Sequence, residues 1–236
     1  MTGFERLPET GQPVGPRVDT TPAKRPGPVT LQGHYGSIEK LAETHAASLW
    51  EAVKGDKSIW TYISSPGPFS DATQFLTWIK LRAAQDDPYA YAVLDRDGRT
   101  VGTAALMSIR PEMQVIEVGS IVYAPALQRT PLGTEVQYLL ARYAFETLGY
   151  RRYEWKCDTL NAPSRRAALR YGFVFEDIMR QHMIIHGRNR DTAWFAMLDN
   201  EWPARKASFE RWLAPENFSA AGKQRFSLSA LNGAKE

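Results

Sequence analysis

Apolar residues recur at helical spacing in the first third of the chain, at Ile38, Leu41, Ala42, His45, Leu49 and Val53. That spacing predicts a helix from Ser37, a candidate N-cap, to a stop at Gly55. A short strand over Val29–Tyr35 precedes it, and Pro66, Gly67 and Pro68 interrupt the chain after it. A second helix is predicted over Asp71 to about Ala84, starting at Ser70 or Asp71 and carrying Phe75, Trp78, Ile79 and Arg82. Then the period changes. Tyr89–Asp95, Arg99–Arg110 and Gln114–Tyr123 read as strands, joined by short turns at Asp95–Gly98 and Arg110–Met113, which predicts an antiparallel meander.

The second half alternates. A helix after Gly133 sets Val136, Leu139, Leu140, Tyr143, Ala144 and Leu148 on one face and ends at Gly149. Arg152–Asp158 is a strand, and Ala162–Gly172 a helix with Asn161 as its cap. Two further strands, Phe173–Gly187 and Arg190–Leu198, lead into a terminal helix over Asp199–Ala214. Arg188, Arg190 and Asp191 suggest an ion-pair turn between those strands.

The resulting order, β-α-α-β-β-β-α-β-α-β-β-α, predicts an α+β or α/β sandwich with a mixed, mostly antiparallel sheet of about six to seven strands flanked by helices. Residues 1–28, rich in Pro, Gly and Thr, read as a flexible arm, 29–214 as one domain, and 215–236 as a polar tail.

Composition narrows the classes. At 236 residues and 43% hydrophobic, the chain is long enough for one well-cored domain. No apolar run of membrane-spanning length occurs, and the N-terminal stretch lacks the apolar centre of a secretory signal, so a cytoplasmic protein without a membrane partner is expected. The single Cys157 suits a reducing compartment and excludes an internal disulfide. A net charge of +3 is too mild to imply nucleic-acid binding, though it is compatible with an anionic ligand. His182 and His186 are four apart but fall in a predicted strand without partners at ligand spacing, so no metal site is expected.

The segment Gln128-Arg129-Thr130-Pro131-Leu132-Gly133 links a strand to a helix. A helix N-terminus offers unpaired N–H groups and the positive end of its dipole, worth roughly 0.3–2 kcal/mol to a phosphate. Arg129 and the hydroxyls of Thr130 and Thr134 can add charge-assisted bonds. A plain capped turn with a solvated Arg129 is the alternative.

Three stretches, Ile116–Glu135, Tyr150–Glu176 and Gly187–Pro203, together resemble the GNAT superfamily of acyl-CoA-dependent N-acyltransferases, and within it the RimJ/RimL type. The likeness spans about Val29 to Leu198. It implies acetyl-CoA as cosubstrate and an amine acceptor. Gln128 and Gly133 match the family's pyrophosphate loop, whereas Pro131 replaces a glycine and has no N–H to donate. The resemblance implies pantetheine contacts with the backbone of Ile121 and Val122 and with Asn161, which can also simply cap its helix. The family's general-acid tyrosine position is Ala168 here, and Tyr171 falls elsewhere on the helix. Ser164 takes the position of a serine in the RimL-like branch, which implies a role in protonating the leaving thiolate; a second capping hydroxyl is the other reading.

Acyl transfer needs a neutral amine. Deprotonating a lysine amine at neutral pH costs about 4.6 kcal/mol, and an α-amine about 1–1.4 kcal/mol. Glu117, on the predicted strand among Val115, Gly119 and Ile121, is the candidate base, its desolvation expected to favour proton uptake. An exposed carboxylate or an arginine partner is the competing reading. The Val122 N–H is the candidate oxyanion donor, and direct attack leaves Cys157 in the core. Trp50, Trp60, Tyr62 and Phe69 suggest a walled pocket for a compact acceptor, a small molecule or a protein N-terminus. A non-catalytic acyl-CoA sensor is the alternative function. Oligomeric state is open, with a homodimer through the terminal helix one option.

Overall fold

A computed structural model describes residues 3–233. Residues 1–2 of the expected arm and 234–236 of the expected tail lie outside the described residues. In chain order the elements are β1 (Glu5–Arg6), β2 (Pro13–Val14), β3 (Leu31–Gln32), β4 (Ser37–Lys40), α1 (Ala46–Val53), α2 (Ala72–Ala83), β5 (Tyr89–Leu94), β6 (Thr100–Arg110) and β7 (Val115–Tyr123). They continue with α3 (Pro131–Arg142), β8 (Arg152–Asp158), α4 (Ala162–Arg170), β9 (Val174–Ile185), β10 (Arg188–Leu198), α5 (Trp202–Leu213) and α6 (Leu228–Leu231). β1 and β2 form a separate hairpin, and the other eight strands make one sheet in the order β3-β4-β5-β6-β7-β8-β10-β9. Every neighbouring pair is antiparallel except β7 and β8, which run parallel. This is the expected α+β architecture, with eight strands in the main sheet.

Strand alternation divides the core. Tyr89, Tyr91 and Val93 point to the side covered by α3, α4 and α5, whereas Ala90 and Ala92 meet α1 and α2. The small alanines let the two helices approach the sheet closely. α2 begins where the Asp71 carboxylate accepts from the amides of Thr73 and Gln74, which settles its start at Asp71 rather than Ser70. Trp60, Phe69, Phe75 and Trp78 pack on one another with ring centroids 5.2–6.5 Å apart. Trp60 and Phe69 therefore build core under the α1/α2 face rather than lining a pocket.

Two local expectations are corrected. The helix expected from Ser37 starts later. Ser37–Lys40 is strand β4, paired with Tyr91–Leu94, and helical structure begins at Glu43. The ladder with β5, which buries Ile38 opposite Val93, outweighs a spacing that also fits a helix. The ion-pair turn expected of Arg188, Arg190 and Asp191 is not formed among the described residues. Asp191 instead accepts from the Gln181 amide and from Asn189.

The ends of the chain carry contacts of their own. Ala23 is buried, its N–H donates to Pro111, and the Lys24 N–H donates to Leu148. Beyond Ala214, Leu228 is fully buried and Asn232 bridges the Arg170 carbonyl and Arg205.

Candidate active site

The parallel pair at the centre of the sheet separates. β7 and β8 are in register only from Val115 to Val118 against Arg152 to Trp155. β7 then runs on to Tyr123 and β8 to Asp158 without pairing each other, while β8 keeps its ladder to β10 throughout. Unpaired strand edges therefore line a gap that opens toward the carboxyl ends of both strands. α3 and α4 follow these two strands, so their N-termini stand at the mouth of the gap.

A bulge shapes the β7 side. Ala105 faces Gly119 and Thr103 faces Val122, so β6 advances two residues while β7 advances three. Within the bulge Ser120 has a φ of 50°, in the left-handed region. Ala124 donates its N–H to Val101 across the ladder. Val122, two residues earlier and in register with Thr103, shares that direction by strand alternation. Its N–H, expected as the oxyanion donor, therefore points toward β6 and not into the gap. The amides of Ile121 and Tyr123 face the other way, toward the gap. The Tyr123 carbonyl is met there by Gln128 Nε2 at 3.1 Å. The sequence pairs Ile121 with Val122; the ladder pairs Ile121 with Tyr123.

At the start of α3 the Thr130 hydroxyl accepts from the Gly133 N–H at 3.1 Å and donates to the Leu127 carbonyl at 2.7 Å. The Gly133 amide is thus occupied by the cap. Among the described residues no acceptor meets the amides of Arg129, Thr130 and Leu132. Arg129 is exposed at φ 61°, a conformation that turns successive amides to one side of a tight bend. Thr134 is buried, its hydroxyl held by Arg170 at 3.1 Å. Gly133 itself has little room for a side chain, since a Cβ there would lie 2.8 Å from the Leu127 carbonyl.

The two candidate catalytic side chains come from opposite faces. Glu117 projects to the α1/α2 side, because its neighbours Ile116 and Val118 fill the opposite core. It is buried, at 6% exposure, but not surrounded by apolar groups alone. Lys156 Nζ lies 2.8 Å from one carboxylate oxygen and the Ser108 hydroxyl 2.9 Å from the same oxygen. Lys156 also meets Glu154 and sits 4.0 Å from the centre of the Trp194 ring. Burial works to raise the Glu154 carboxyl, but bonds from Arg152 and Lys156 outweigh it and hold the group below its ordinary range.

On the other face Ser164 receives the Trp155 indole N–H at 3.0 Å, and its own amide is capped by Asn161 Oδ1 at 3.1 Å. The Asn161 Nδ2 group is not used by that cap. Cys157 lies beside Ser164, and burial pushes its thiol up, away from the reactive thiolate. Tyr171 is buried and stacks on Phe209. His182 bonds the Thr192 hydroxyl and His186 the Ile63 carbonyl. The Ile63 contact and a bond from Tyr62 to Leu160 carry the Lys57–Phe69 segment across the sheet toward the mouth of the gap.

Comparison with known proteins gives consistent results. The acetyltransferase (GNAT) domain model matches residues 37–174. A GCN5-related N-acetyltransferase from Brucella melitensis is 44% identical, with TM-score 0.87 over 90% of this chain and 98% of that one. A probable GNAT-family acetyltransferase from Chromobacterium violaceum is 39% identical, with TM-score 0.75 over 82% and 100%. The microcin C7 self-immunity acetyltransferase MccE, solved with acetyl-CoA and AMP, shares the fold at 16% identity and TM-score 0.63, over 70% and 93%. No curated protein matches the sequence. Among the described residues no helix is long and apolar enough to cross a membrane.

Proposed function

The chain belongs to the GNAT acetyltransferases, which transfer from acetyl-CoA, and from that premise we propose that it is a RimJ/RimL-type enzyme acetylating the primary amine of a compact acceptor by direct attack. The observation that carries this reading is the gap between β7 and β8, flanked by Glu117 on one face and Ser164 on the other. A thioester held there meets an acceptor arriving from the α1/α2 side and releases its thiolate toward α4.

In this reading the diphosphate takes the amides of Arg129, Thr130 and Leu132 together with the Arg129 guanidinium. Gln128 secures the turn by holding Tyr123, and Thr130, Gly133 and Thr134 shape the first turn of α3. Pantetheine lies along the free edge of β7 at Ile121 and Tyr123, with the Asn161 amide as a further donor. Glu117 takes the proton from the amine, the Ile121 N–H stabilises the oxyanion, and the Ser164 hydroxyl protonates the thiolate. Cys157 takes no part, since it is buried and its thiol is held protonated. The strap formed by Tyr62 and Ile63 narrows the acceptor side and favours a small amine or a chain N-terminus over an internal lysine of a folded protein.

The test is thiol release from acetyl-CoA in the presence of an amine panel including spermidine-like amines, aminoglycosides and peptides with free N-termini. Acceptor-dependent release that fails in Glu117→Gln supports the proposal. Tight acetyl-CoA binding with no release from any acceptor favours a sensor instead.

A further inference from the structure

Arg82 lies in the last turn of α2 and is only 5% exposed, yet no carboxylate pairs with it among the described residues. Burial lowers its pKa to about 10. Its guanidinium sits 5.0 Å from the Trp78 ring and donates to both oxygens of one residue, the hydroxyl and the carbonyl of Ser120, the latter at 3.3 Å. Ser120 is the bulge residue at φ 50°, a left-handed conformation that is strained for a residue with a side chain.

A trans peptide places its C=O and N–H on opposite sides. Holding the Ser120 carbonyl therefore aims the Ile121 N–H away from the guanidinium. Ile121 is the residue whose amide faces the gap. A cation on the carbonyl also polarises the same peptide unit and strengthens the N–H as a donor.

We infer that Arg82 is a positioning residue for acyl transfer: it clamps Ser120 in the bulge and so orients the Ile121 N–H toward the thioester carbonyl. The inference rests on the reading of the gap as the thioester site. Arg82 touches neither substrate; it acts through one peptide plane.

The experiment combines kinetics with hydrogen exchange on Arg82→Met, Ser120→Gly and the double variant. Glycine adopts positive φ without strain, so it removes part of the need for a clamp. Arg82→Met is expected to lower kcat about 10- to 100-fold with a smaller change in the KM for acetyl-CoA. In the Ser120→Gly background that loss is expected to shrink at least about threefold, and Arg82→Lys, which keeps one donor, to fall between. An equal loss in both backgrounds overturns the inference. Hydrogen exchange of the 115–123 peptide reads the clamp without turnover. Faster exchange in Arg82→Met, restored in part by Ser120→Gly, supports it, and unchanged exchange overturns it. Should the unmutated protein release no thiol, the acyltransferase reading fails, and the exchange result still decides whether Arg82 holds the bulge. If Arg82→Met does not fold, Arg82→Lys carries both measurements.

Discussion

The Lys156 ammonium lies 2.8 Å from a Glu117 oxygen, so the candidate base is delivered to the gap already paired with a cation. The pair gives the buried carboxylate a counter-charge, at the cost of sharing one of its lone pairs. Glu117→Gln keeps the size and a hydrogen-bond acceptor but removes the basic group. A loss of about 10²–10⁴ in kcat is expected, with acetyl-CoA affinity retained by calorimetry. Equal kcat in the variant would remove Glu117 from the mechanism.

Lys156 stands between Glu117 and Glu154, with only 12% of its side chain exposed. Lys156→Met removes the cation paired with buried Glu117, whereas Glu154 keeps Arg152. Breaking a buried pair in this way is expected to cost about 3–5 kcal/mol of stability, read by urea unfolding. A change under about 1 kcal/mol would mean that the Glu117 carboxylate finds water or another partner.

Arg129 is exposed and makes no ion pair among the described residues. Arg129→Glu is therefore expected to leave the melting temperature unchanged while weakening acetyl-CoA about tenfold or more, since a charged hydrogen bond is worth about 1.5–3 kcal/mol. Calorimetry at low and high salt checks both the loss and its electrostatic origin.

The parts of the fold written in local chemistry were legible in the sequence. The β5–β6–β7 meander follows from its turns, α2 from the break at Pro66–Pro68 and the apolar spacing after it, and the Arg129 turn from its place between a strand and a helix. Ser37–Lys40 was not legible, because a strand of four residues with one fully buried apolar side chain is decided by its partner β5. The same holds for the site. Glu117 stands out as a carboxylate on an apolar strand, but its partner Lys156 is 39 residues away in sequence. Arg82 reads as one more basic residue at a helix end, and only the contact with Ser120, 38 residues on, gives it a role. The direction of each amide along β7 depends on the bulge, which no alternation pattern in the sequence records.

Ser164 serves the fold and the proposed chemistry at once, so its substitution has to be read twice. Ser164→Ala leaves the Trp155 indole without its acceptor, which is expected to cost about 1–3 kcal/mol of stability. If its hydroxyl also protonates the thiolate, kcat falls at temperatures where the variant is fully folded. Ser164→Thr keeps the hydroxyl and should recover much of both. Loss of stability with unchanged kcat would assign Ser164 to structure alone.

The charge network around Glu154 predicts a dependence of stability on pH. Its folded pKa is held below the ordinary 4.5, because the bonds from Arg152 and Lys156 outweigh the effect of burial. A depressed carboxylate contributes its stability in full above its unfolded value and loses it as pH falls through the lower folded value. Unfolding curves of the natural protein and Glu154→Gln are therefore expected to differ most near neutral pH, where the natural protein gains from the ionised group. The difference should narrow below about pH 4.5 as the carboxylate protonates in the unfolded chain first and then in the folded one. Urea midpoints taken from pH 7 to pH 3 check the sign. A gap that stays constant across that range would show that Arg152 and Lys156 do not favour the ionised form of Glu154 in the folded state.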